Sequence, residues 1–474
     1  MVKWLRSLSK NVIYLIALIL FGLIAVDNFT YFNSSYFPFK LTSLVIVGLA
    51  GALLLASIIS FYLCKWLLVK AQQYQYKYVI ALVFGIGIIL RLLWIFFVRP
   101  PVIKDYQEMY QASLQAMQGD FSFMHNVAYF VLSPYQIGLV LYESAILKIV
   151  GNHIVVLKLL NILWQFGTGI LVQRLTLRVT NSRVASLFAV MFYVFYIPNI
   201  ALCSVLTNQI VALFFLLLSV DLFLEGNHFG LALLSGLFLA IGNLLRPLGS
   251  IILIAYVLWT IFIVTKKQKS KLVNLVLIGL MYFGCNFTLD QVLQKTNVTT
   301  ASIETVNSDW KFVLGLNYKS DGKWNLKDYT AVEKYKSQVK REKFEKKLIK
   351  QRLKNKSQLS RLMIRKFRLM WSDFDTSISW GTRNSNLSQT TIVFLTILQR
   401  VMYLLAINLA LLALIRDYKE REKLTHTFYF VLILVIGYIL IHEGIEIQTR
   451  YRYFIMPFFT VVAACWFKKG GKLM

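Results

Sequence analysis

The stretch RPPVIKDYQEMYQASLQAMQGDFSFMH, residues 99–125, determines how the rest of the chain is interpreted. It follows Tyr78–Val98, an apolar run long enough to cross a bilayer. Pro100 and Pro101 end that helix where it leaves the lipid, because proline lacks the amide hydrogen that a helix needs. Asp105 then follows within a few residues. The pattern therefore predicts a carboxyl group held just outside a membrane surface.

Asp105 opens a segment that contains Tyr106 and Glu108 and predicts a short helix ending near Gly119. A carboxylate in this position can take a proton from a hydroxyl beside lipid head groups, which is general-base chemistry. A solvated loop carboxylate or a helix N-cap is the alternative interpretation of Asp105.

The composition is that of a membrane protein. The chain has 474 residues, of which 57% are hydrophobic and 15% charged, and its mean hydropathy is +0.61. The net charge of +29 would suit a nucleic-acid partner. In a polytopic membrane protein, however, it indicates basic loops facing anionic head groups, so the predicted partner is the lipid bilayer and no nucleic acid. The four cysteines lack the spacing of a metal site or a disulfide framework.

Apolar runs of about 16–25 residues predict an all-α polytopic protein with about twelve transmembrane helices. The runs are 11–26, 41–66, 78–98, 155–175, 184–206, 208–224, 229–245, 248–265, 272–292, 390–415, 427–441 and 452–467. The basic N-terminus leads into the first run without a small-residue cleavage site, which predicts a retained anchor.

A further apolar run, 130–150, decides the topology, because counting it as a span would move every later loop to the other side. Leaving it out places short basic segments on one side, as the positive-inside rule requires. Those cations are Lys3, Arg6, Lys10, Lys65, Lys70, Lys77, Arg174, Arg178, Arg183, Lys266, Lys267, Lys269, Lys271, Arg416, Lys419, Arg421, Lys423, Lys468, Lys469 and Lys472. We therefore predict that 130–150 lies at the outer surface, broken at Pro134. Both termini are then cytoplasmic, and Asp105 is on the external face of the cell membrane.

Three regions follow from this topology. Residues 1–293 form an N-terminal transmembrane module with a first external loop at 99–154, residues 294–388 form one long external loop, and residues 389–474 form the C-terminal transmembrane helices. Within the long loop, Val332–Trp371 predicts an amphipathic helix whose lysines face lipid phosphates. A solvated charged helix is the alternative.

The start of the long loop, NSDWKFVLGLNYKSDGKWNLKDY, mixes aromatic residues with amides and acids. Trp310, Phe312, Trp324 and Tyr329 suit stacking against a sugar, or equally a turn with its own small core.

Other external turns contain candidate substrate-binding residues. Asn208 and Gln209 follow one span, and Arg246 lies at the outer end of another, where its planar guanidinium suits a phosphate and snorkelling to head groups is the alternative. The last external turn, HEGIEIQTRYRY, is dense in polar groups for a loop between two apolar spans. Its acids can bind sugar hydroxyls or orient the arginines, and its arginines can hold phosphate. The candidates in it are His442, Glu443, Glu446, Gln448, Arg450 and Arg452.

In their order and predicted membrane side, these segments resemble the GT-C class of membrane glycosyltransferases, which includes protein O-mannosyltransferases and lipid A aminoarabinose transferases. The likeness is greatest to GT-C-like proteins of Gram-positive bacteria. It rests on PPVIKDYQEMYQASLQAMQGD, SPYQIGLVLYESAILKIVG, KLLNILWQFGTGILVQRL, LFLAIGNLLRPLG, FVLGLNYKSDGKWN and EIQTRYRYFIMP.

The resemblance implies a GT-C-like fold and transfer of a sugar from a polyprenyl-phosphate donor to a hydroxyl of a glycan or glycopolymer acceptor. Asp105 is then the general base, the reaction inverts the anomeric carbon, and Arg246, Arg450 and Arg452 are candidates to stabilise the leaving phosphate. Tyr106 stands where some members have a second aspartate, and the second external loop lacks their acid. Since hard divalent ions favour carboxylate ligands, we predict transfer without a metal or other cofactor.

Two other functions remain open. A transporter or flippase of lipid-linked saccharide would place polar residues along a path within the spans, where the candidates are Arg91, Lys158, Asp221 and Asp290. A non-catalytic membrane protein could bind an envelope polymer through the long basic loop.

Overall fold

The computed structural model describes residues 2–32, 42–226, 228–264, 268–300, 302–303, 309–335 and 337–468. Within these residues the chain is all-helical and contains no strand. Its α-helices are α1 Val2–Thr30, α2 Ser43–Ala71, α3 Tyr76–Leu93, α4 Asp105–Met117, α5 Phe123–Asn126, α6 Ala128–Leu132, α7 Ile137–Val150, α8 Ile154–Thr180, α9 Arg183–Phe195, α10 Ile197–Leu202, α11 Asn208–Glu225, α12 Phe229–Leu245, α13 Gly249–Phe262, α14 Gln268–Lys295, α15 Trp310–Gly315, α16 Leu326–Glu333, α17 Gln338–Lys354, α18 Lys356–Ser372, α19 Ser377–Thr382, α20 Gln389–Asp417, α21 His426–Gly444 and α22 Met456–Ala464.

Eight helical stretches among the described residues are long and apolar enough to cross a bilayer. They are Trp4–Thr30, Ser43–Ala71, Tyr76–Val98, Ile154–Thr180, Asn208–Glu225, Lys269–Lys295, Gln389–Lys423 and His426–Gly444. Four shorter apolar helices, Arg183–Phe195, Phe229–Leu245, Gly249–Phe262 and Met456–Phe467, lie where the remaining spans were expected. The structure is thus an all-helical one with apolar helices suited to a membrane, and the count of twelve spans stays a prediction.

Two predicted spans differ from the helices in the structure. The run 184–206 is one helix only to Phe195, because the backbone becomes extended at Tyr196 and a separate short helix then begins around Pro198. The run 452–467 starts with a tight 3-10 turn, Thr449–Phe454, and its α-helix begins at Met456. Both breaks lie toward the same end of the bundle as Asp105.

The first external loop is folded as its sequence predicts. Helix α4 begins at Asp105 and ends at Met117, followed by Gly119 with the positive φ of 86° that glycine adopts readily. The 130–150 run is broken at Pro134, which starts a short 3-10 turn between α6 and α7. Since α7 packs along α4, the two helices form a small layer over the bundle.

The region 332–371 contains two helices where a single amphipathic helix was expected. The chain breaks at Asn355, whose side chain caps α18 by accepting a hydrogen bond from the Gln358 amide. Part of the apolar side of α17 also packs against other residues of the protein. Phe344 and Leu348 pack on a cluster formed by Trp310, Val313, Leu314 and neighbours, so these side chains are not available to lipid.

The contacts divide the polar segments between two ends of the bundle. One end, here called the basic end, joins segments 7–11, 74–77, 174–186, 221–226, 271–274, 416–426 and 466–468. The other, the site end, joins segments 28–31, 99–110, 129–136, 204–209, 243–249, 311–322, 371–380 and 442–454. The predicted cytoplasmic cations thus share one end where described, and Asp105 lies at the other. Lys266, Lys267, Lys469 and Lys472 lie outside the described residues, as does the side chain of Lys3.

Candidate functional site

The loop before α4 is held in an unusual backbone conformation. Arg99 and Lys104 flank the two prolines, and both have positive φ values, 45° and 53°. Non-glycine residues adopt this conformation at a cost, and they do so most often at functional sites. The loop delivers Asp105 as the exposed first residue of α4, and it brings the Lys104 ammonium to 5.9 Å from the ring centre of Trp380.

Tyr106 is the next residue and turns inward. Its side chain is buried, its ring meets that of Trp380 edge-on with centres 5.0 Å apart, and its hydroxyl donates to Thr207 Oγ1 at 3.2 Å. The same hydroxyl accepts a hydrogen bond from Arg450 Nη1. Tyr106 therefore links the first external loop to the last one.

Arg450 is buried at the centre of this cluster. Its guanidinium carbon lies 4.6 Å from the ring centre of Trp380 and 5.5 Å from that of Tyr106, and Nε donates to Gln448 Oε1 at 2.7 Å. Among the described residues, Arg450 has no ion pair within salt-bridge distance. The cation is thus positioned by rings and neutral oxygens, and its charge remains available to an anion.

Arg246 is arranged in the same way on the neighbouring side. Its guanidinium carbon lies 4.6 Å from the ring centre of Tyr451 and 5.1 Å from that of Phe454. Its Nη1 donates to Asn208 Oδ1 at 3.2 Å, and Asn208 in turn donates to the Leu245 carbonyl at 2.9 Å. Asn208 thus fixes Arg246 without neutralising it.

Glu446 and Lys311 form an ion pair beside these arginines, in which Glu446 is buried and Lys311 is half-buried. Lys311 Nζ lies 2.5 Å from Glu446 Oε2, and Gln448 donates to the other carboxylate oxygen at 2.9 Å. Burial raises the pKa of Glu446, but the ammonium of Lys311 and the hydrogen bonds lower it more, so the net pKa is below its usual value. Burial lowers the pKa of Lys311, but the Glu446 carboxylate reverses that effect and raises it.

The same pair is tied down through the backbone. The Glu446 amide donates to the Lys311 carbonyl, and the Ile447 amide donates to the Gly322 carbonyl, both at 2.9 Å. Gly315 permits this close contact, because a Cβ there would collide with the backbone of Gly444 and Ile445. The long external loop is thereby fixed to the last external turn.

The charge of Asp105 acts on several groups of this cluster. The pKa of Tyr129 is raised by burial first and then by Asp105, Tyr135 and Tyr106, with Lys311 opposing them. The pKa of Arg450 is lowered by burial but raised overall by the oxygens around it, including the Asp105 carboxylate. The pKa of Glu108 is raised by partial burial and by the nearby charge of Asp105. The exposed Asp105 carboxyl and the buried Arg450 guanidinium thus lie near each other, on either side of Tyr106.

Other predicted residues lie deeper or elsewhere. Arg452 is fully buried, donates to the Asp373 and Thr449 carbonyls and lies 3.8 Å from Asp375, so its contacts hold the turn together. His442 is buried, its Nδ1 lies 2.7 Å from the Tyr438 carbonyl, and its ring packs on Tyr438.

Gln209 and Glu443 differ from these residues. Both polar atoms of the buried Gln209 amide lack a hydrogen-bond partner within the described residues, and so do both carboxylate oxygens of Glu443. Buried polar atoms are normally paired, so the Gln209 amide is suited to a bond with a bound molecule. The backbone carbonyl of Glu443 accepts from Lys366 Nζ at 2.6 Å, which places that residue beside the external loop.

Several residues of the cluster were not predicted from the sequence. Trp380, Tyr129 and Gln136 stand in segments with no charged motif, and Gln136 donates to the Tyr129 hydroxyl at 2.8 Å while accepting from Asn208. Lys311 lies beside the predicted sugar-stacking Trp310, but Trp310 is buried in the small core, whereas Trp324 is half exposed. For Lys311, the only indication in the sequence was the alternation of aromatic residues and amides around it.

A small apolar cavity between spanning helices adjoins the cluster. It is lined by side chains of α11, α13, α21 and α22 with Phe454 and Tyr438 among them. Phe454 also contacts Arg246, and the Tyr438 hydroxyl donates to the Tyr451 carbonyl at 2.7 Å. This small apolar cavity of about 30 Å³ therefore shares Phe454 with the surroundings of Arg246.

The four candidate residues for a transport path all have intramolecular partners. Arg91 donates to Gln165 and to two backbone carbonyls, and Lys158 donates to the Pro100 carbonyl at 3.4 Å. Asp221 pairs with Arg174 and Arg178, and Asp290 accepts from the Ile303 amide at 3.0 Å.

No group of three or more potential metal ligands is present among the described residues. Comparison with known proteins finds no family model that matches the chain and no curated protein that matches it.

Proposed function

We propose that this protein is a membrane-embedded glycosyltransferase that transfers a sugar from a polyprenyl-phosphate donor to a hydroxyl of a glycan or glycopolymer acceptor. The observation that carries the proposal is the hydrogen bond from Arg450 to the hydroxyl of Tyr106, the residue that follows the exposed Asp105, which brings a carboxyl and an unpaired guanidinium close together. A base and an available cation are the two groups that such a transfer requires. The resemblance to GT-C enzymes supports the same function and a GT-C-like fold.

The chemistry is a single displacement. Asp105 accepts the proton of the acceptor hydroxyl while that oxygen attacks the anomeric carbon of the donor sugar. The bond from the anomeric carbon to the phosphate oxygen breaks, and the phosphate leaves with the electron pair. Arg450 and Arg246 stabilise the added negative charge, because neither is neutralised by a carboxylate at salt-bridge distance. Attack from the side opposite the phosphate inverts the anomeric carbon.

The donor lipid has a place beside the cations. We place the polyprenyl chain in the bilayer next to the small apolar cavity lined by Tyr438 and Phe454, since Phe454 also contacts Arg246. The phosphate of a lipid lying there would come close to Arg246 and Tyr451. The orientation follows from the basic end, which the positive-inside rule assigns to the cytoplasm. Asp105 and the site end then face the exterior of the cell membrane, and both termini are cytoplasmic.

The four candidate residues for a transport path are hydrogen-bonded or ion-paired within the protein, which favours transfer over transport. A saccharide path needs polar side chains free to contact a moving solute, whereas Arg91 and Asp221 are held by protein partners. Flux of a lipid-linked saccharide without formation of a glycosidic bond would overturn the proposal.

The test compares envelope glycans from cells that contain the protein, lack it, or contain Asp105→Asn. We expect the glycan made by this protein to disappear in the last two, since loss of a general base lowers the rate about 10²–10⁴-fold. Asp120→Asn is the matched control, because Asp120 is an exposed carboxyl of the same loop that accepts from the Ser122 amide. Normal glycan in Asp105→Asn cells would refute the assignment of the base.

The metal prediction is tested on the purified protein. Transfer is expected to continue after treatment with a chelator. Loss of transfer that magnesium or manganese restores would show instead that a divalent ion takes part.

A further inference from the structure

We propose that one face of α17 is a docking surface for a linear polyanionic acceptor. This lysine stripe consists of Lys340, Lys343, Lys347, Lys350 and Lys354. The role assigned to it rests on the proposed function, because the docked chain would be the polymer that receives the sugar. The stripe itself is a feature of α17 independent of that chemistry.

The spacing of the five lysines places them on one side of the helix. Intervals of three, four, three and four residues match the 3.6-residue turn. From Lys340 to Lys354 the stripe extends about 21 Å, with a charge roughly every 5 Å. All five residues are exposed. Neighbouring charges lie within one Debye length of each other at physiological salt, which is about 8 Å, so they attract an anionic chain jointly.

Carboxylates do not neutralise the stripe. Among the described residues none of its five lysines forms a salt bridge, although Lys346 on an adjacent face lies 3.9 Å from Asp309. The two acids of α17 do not pair with the stripe either, since neither forms a salt bridge among the described residues. Glu345 is fully buried, and Glu342 accepts from Gln338 at 2.9 Å. The stripe therefore presents five uncompensated charges to solvent.

The packing of α17 favours a polymer over a lipid surface. A helix that binds a membrane needs a free apolar face, and in α17 Phe344 and Leu348 are half-buried against Trp310 and Leu314 of α15. Another side of α15 packs on the outer end of α21 through Gly315. Helix α15 thus lies between the bundle and α17. The lysine stripe, on the side of α17 away from α15, therefore points away from the membrane helices.

One end of the stripe lies close to the candidate site. Arg341, next to Lys340, donates to the Val131 carbonyl, two residues from Tyr129. At the other end, Arg352 reaches the Val313 carbonyl and lies 2.8 Å from Asp328. Since α15 also carries Lys311 into the site, a chain bound along the stripe could continue toward Asp105.

The chemistry of the surface defines the class of partner. Five ammonium groups on a convex helix form no pocket for a sugar, and lysine acts on phosphate as a point charge. The stripe therefore suits repeated phosphate or carboxylate groups on an extended chain, whatever sugars or polyols join them.

The experiment measures binding of fluorescent long-chain inorganic polyphosphate, and separately polyglutamate, to the full-length protein in discs of zwitterionic lipid. The stripe variant changes all five lysines to glutamine. The matched control changes five exposed lysines of the same external region, Lys319, Lys323, Lys327, Lys334 and Lys356, to glutamine. Both variants lose the same charge, so a difference between them reports the arrangement of the lysines.

We expect the stripe variant to bind polyphosphate more than about 10-fold more weakly, and the control to stay within about 2-fold of the parent protein. Comparison of the polyphosphate and polyglutamate arms tells whether the site prefers phosphate. Equal losses in both variants, or no loss in either, would overturn the docking surface. So would binding of the parent protein to vesicles of phosphatidylglycerol but not to polyphosphate, since that result identifies a membrane surface.

Failure of this inference can be separated from failure of the proposed function. Polyanion binding needs no donor and no Asp105, so Asp105→Asn should bind polyphosphate like the parent protein. Unchanged binding by the stripe variant would remove the docking surface and leave glycosyl transfer untouched.

Discussion

The two ends of the bundle differ in how their arginines are paired. At the basic end, arginines meet carboxylates: Asp221 lies 2.9 Å from Arg174 and 3.1 Å from Arg178, and Glu225 lies 2.7 Å from Arg174. At the site end, Arg450 and Arg246 meet rings, a tyrosine hydroxyl and side-chain amide oxygens.

The difference separates cations that hold the fold from cations that are available to a substrate. An ion pair cancels most of the field of each partner, whereas an aromatic ring or an amide orients a guanidinium and leaves its net charge intact. Lys311 belongs to the first kind although it lies at the site end, because Glu446 neutralises it. We therefore expect Lys311 to position the turn and Arg450 to act on the donor.

The largest expected effect follows from removing an available cation. Arg450→Gln should weaken binding of the polyprenyl-phosphate donor about 10–100-fold, since a buried charge-assisted contact is lost. Arg450→Lys should recover little of the loss, because a lysine cannot reproduce the planar contact with Trp380 and Tyr106. Donor affinity measured by titration into the detergent-solubilised protein checks both.

Arg178→Gln is the control for that comparison, since it removes an arginine paired with Asp221 at the basic end. It should lower thermal stability and leave donor affinity unchanged. If both variants lost donor affinity equally, paired and unpaired cations would not differ in function.

The sequence predicted which polar segments lie at each end of the bundle. It did not predict which cations would lack a carboxylate partner. Apolar runs and basic loops were sufficient to place Asp105, Arg246 and Arg450 at one end, because hydropathy and the charge of short loops are local properties. Whether an arginine finds a carboxylate depends on contacts between distant segments. Arg450 meets Tyr106 across 344 positions of the chain, and no local pattern reports such a contact.

The same limit explains the misjudged helices. An apolar face predicts that a helix is covered, but not by what, so the apolar side of α17 suited lipid as well as the small core around Trp310. The break at Asn355 was also missed, since a capping residue inside a charged run resembles an ordinary polar position.

The next prediction concerns the paired end. Asp221→Asn removes the negative charge shared by Arg174 and Arg178 while keeping the shape of the side chain. We expect a loss of about 1–2 kcal/mol in the free energy of unfolding, because Asp221 is buried but Arg174 is half exposed and screened by solvent. Thermal unfolding in detergent measures the loss, and donor affinity should not change. A change in affinity without a loss of stability would contradict the structural role of this pair.

The last expected effect is a pH dependence located at the site end. Glu143 on α7 is buried, and its partner is a neutral group, Ser113 of α4, which donates at 2.9 Å. Burial raises the pKa of Glu143 from 4.5 to about 8, with the Ser113 bond opposing the shift. Tyr110 and Tyr142, whose pKa values Glu143 raises in turn, are the titratable groups beside it.

The sign follows from the two pKa values. Below pH 4.5 both the folded and the unfolded protein hold the proton, and between pH 4.5 and about 8 only the folded protein does. The unfolded state therefore gains stability by ionising as pH rises through this window, and the folded protein becomes relatively less stable until about pH 8. Glu143→Gln removes this decline. It should match the parent protein below pH 4.5 and exceed its free energy of unfolding by up to about 5 kcal/mol near pH 8, since each pKa unit corresponds to about 1.4 kcal/mol, measured as Tm against pH.

Ser113→Ala sharpens this prediction, because losing the bond to the ionised form should raise the pKa of Glu143 further and extend the window above pH 8. Asp221→Asn should leave the window unchanged, since its carboxylate lies at the other end with arginine partners. If Glu143→Gln had the same pH profile as the parent protein, Glu143 would be ionised in the fold. A buried carboxylate at the site end would then require a cation, and the contrast between the two ends would fail at that position.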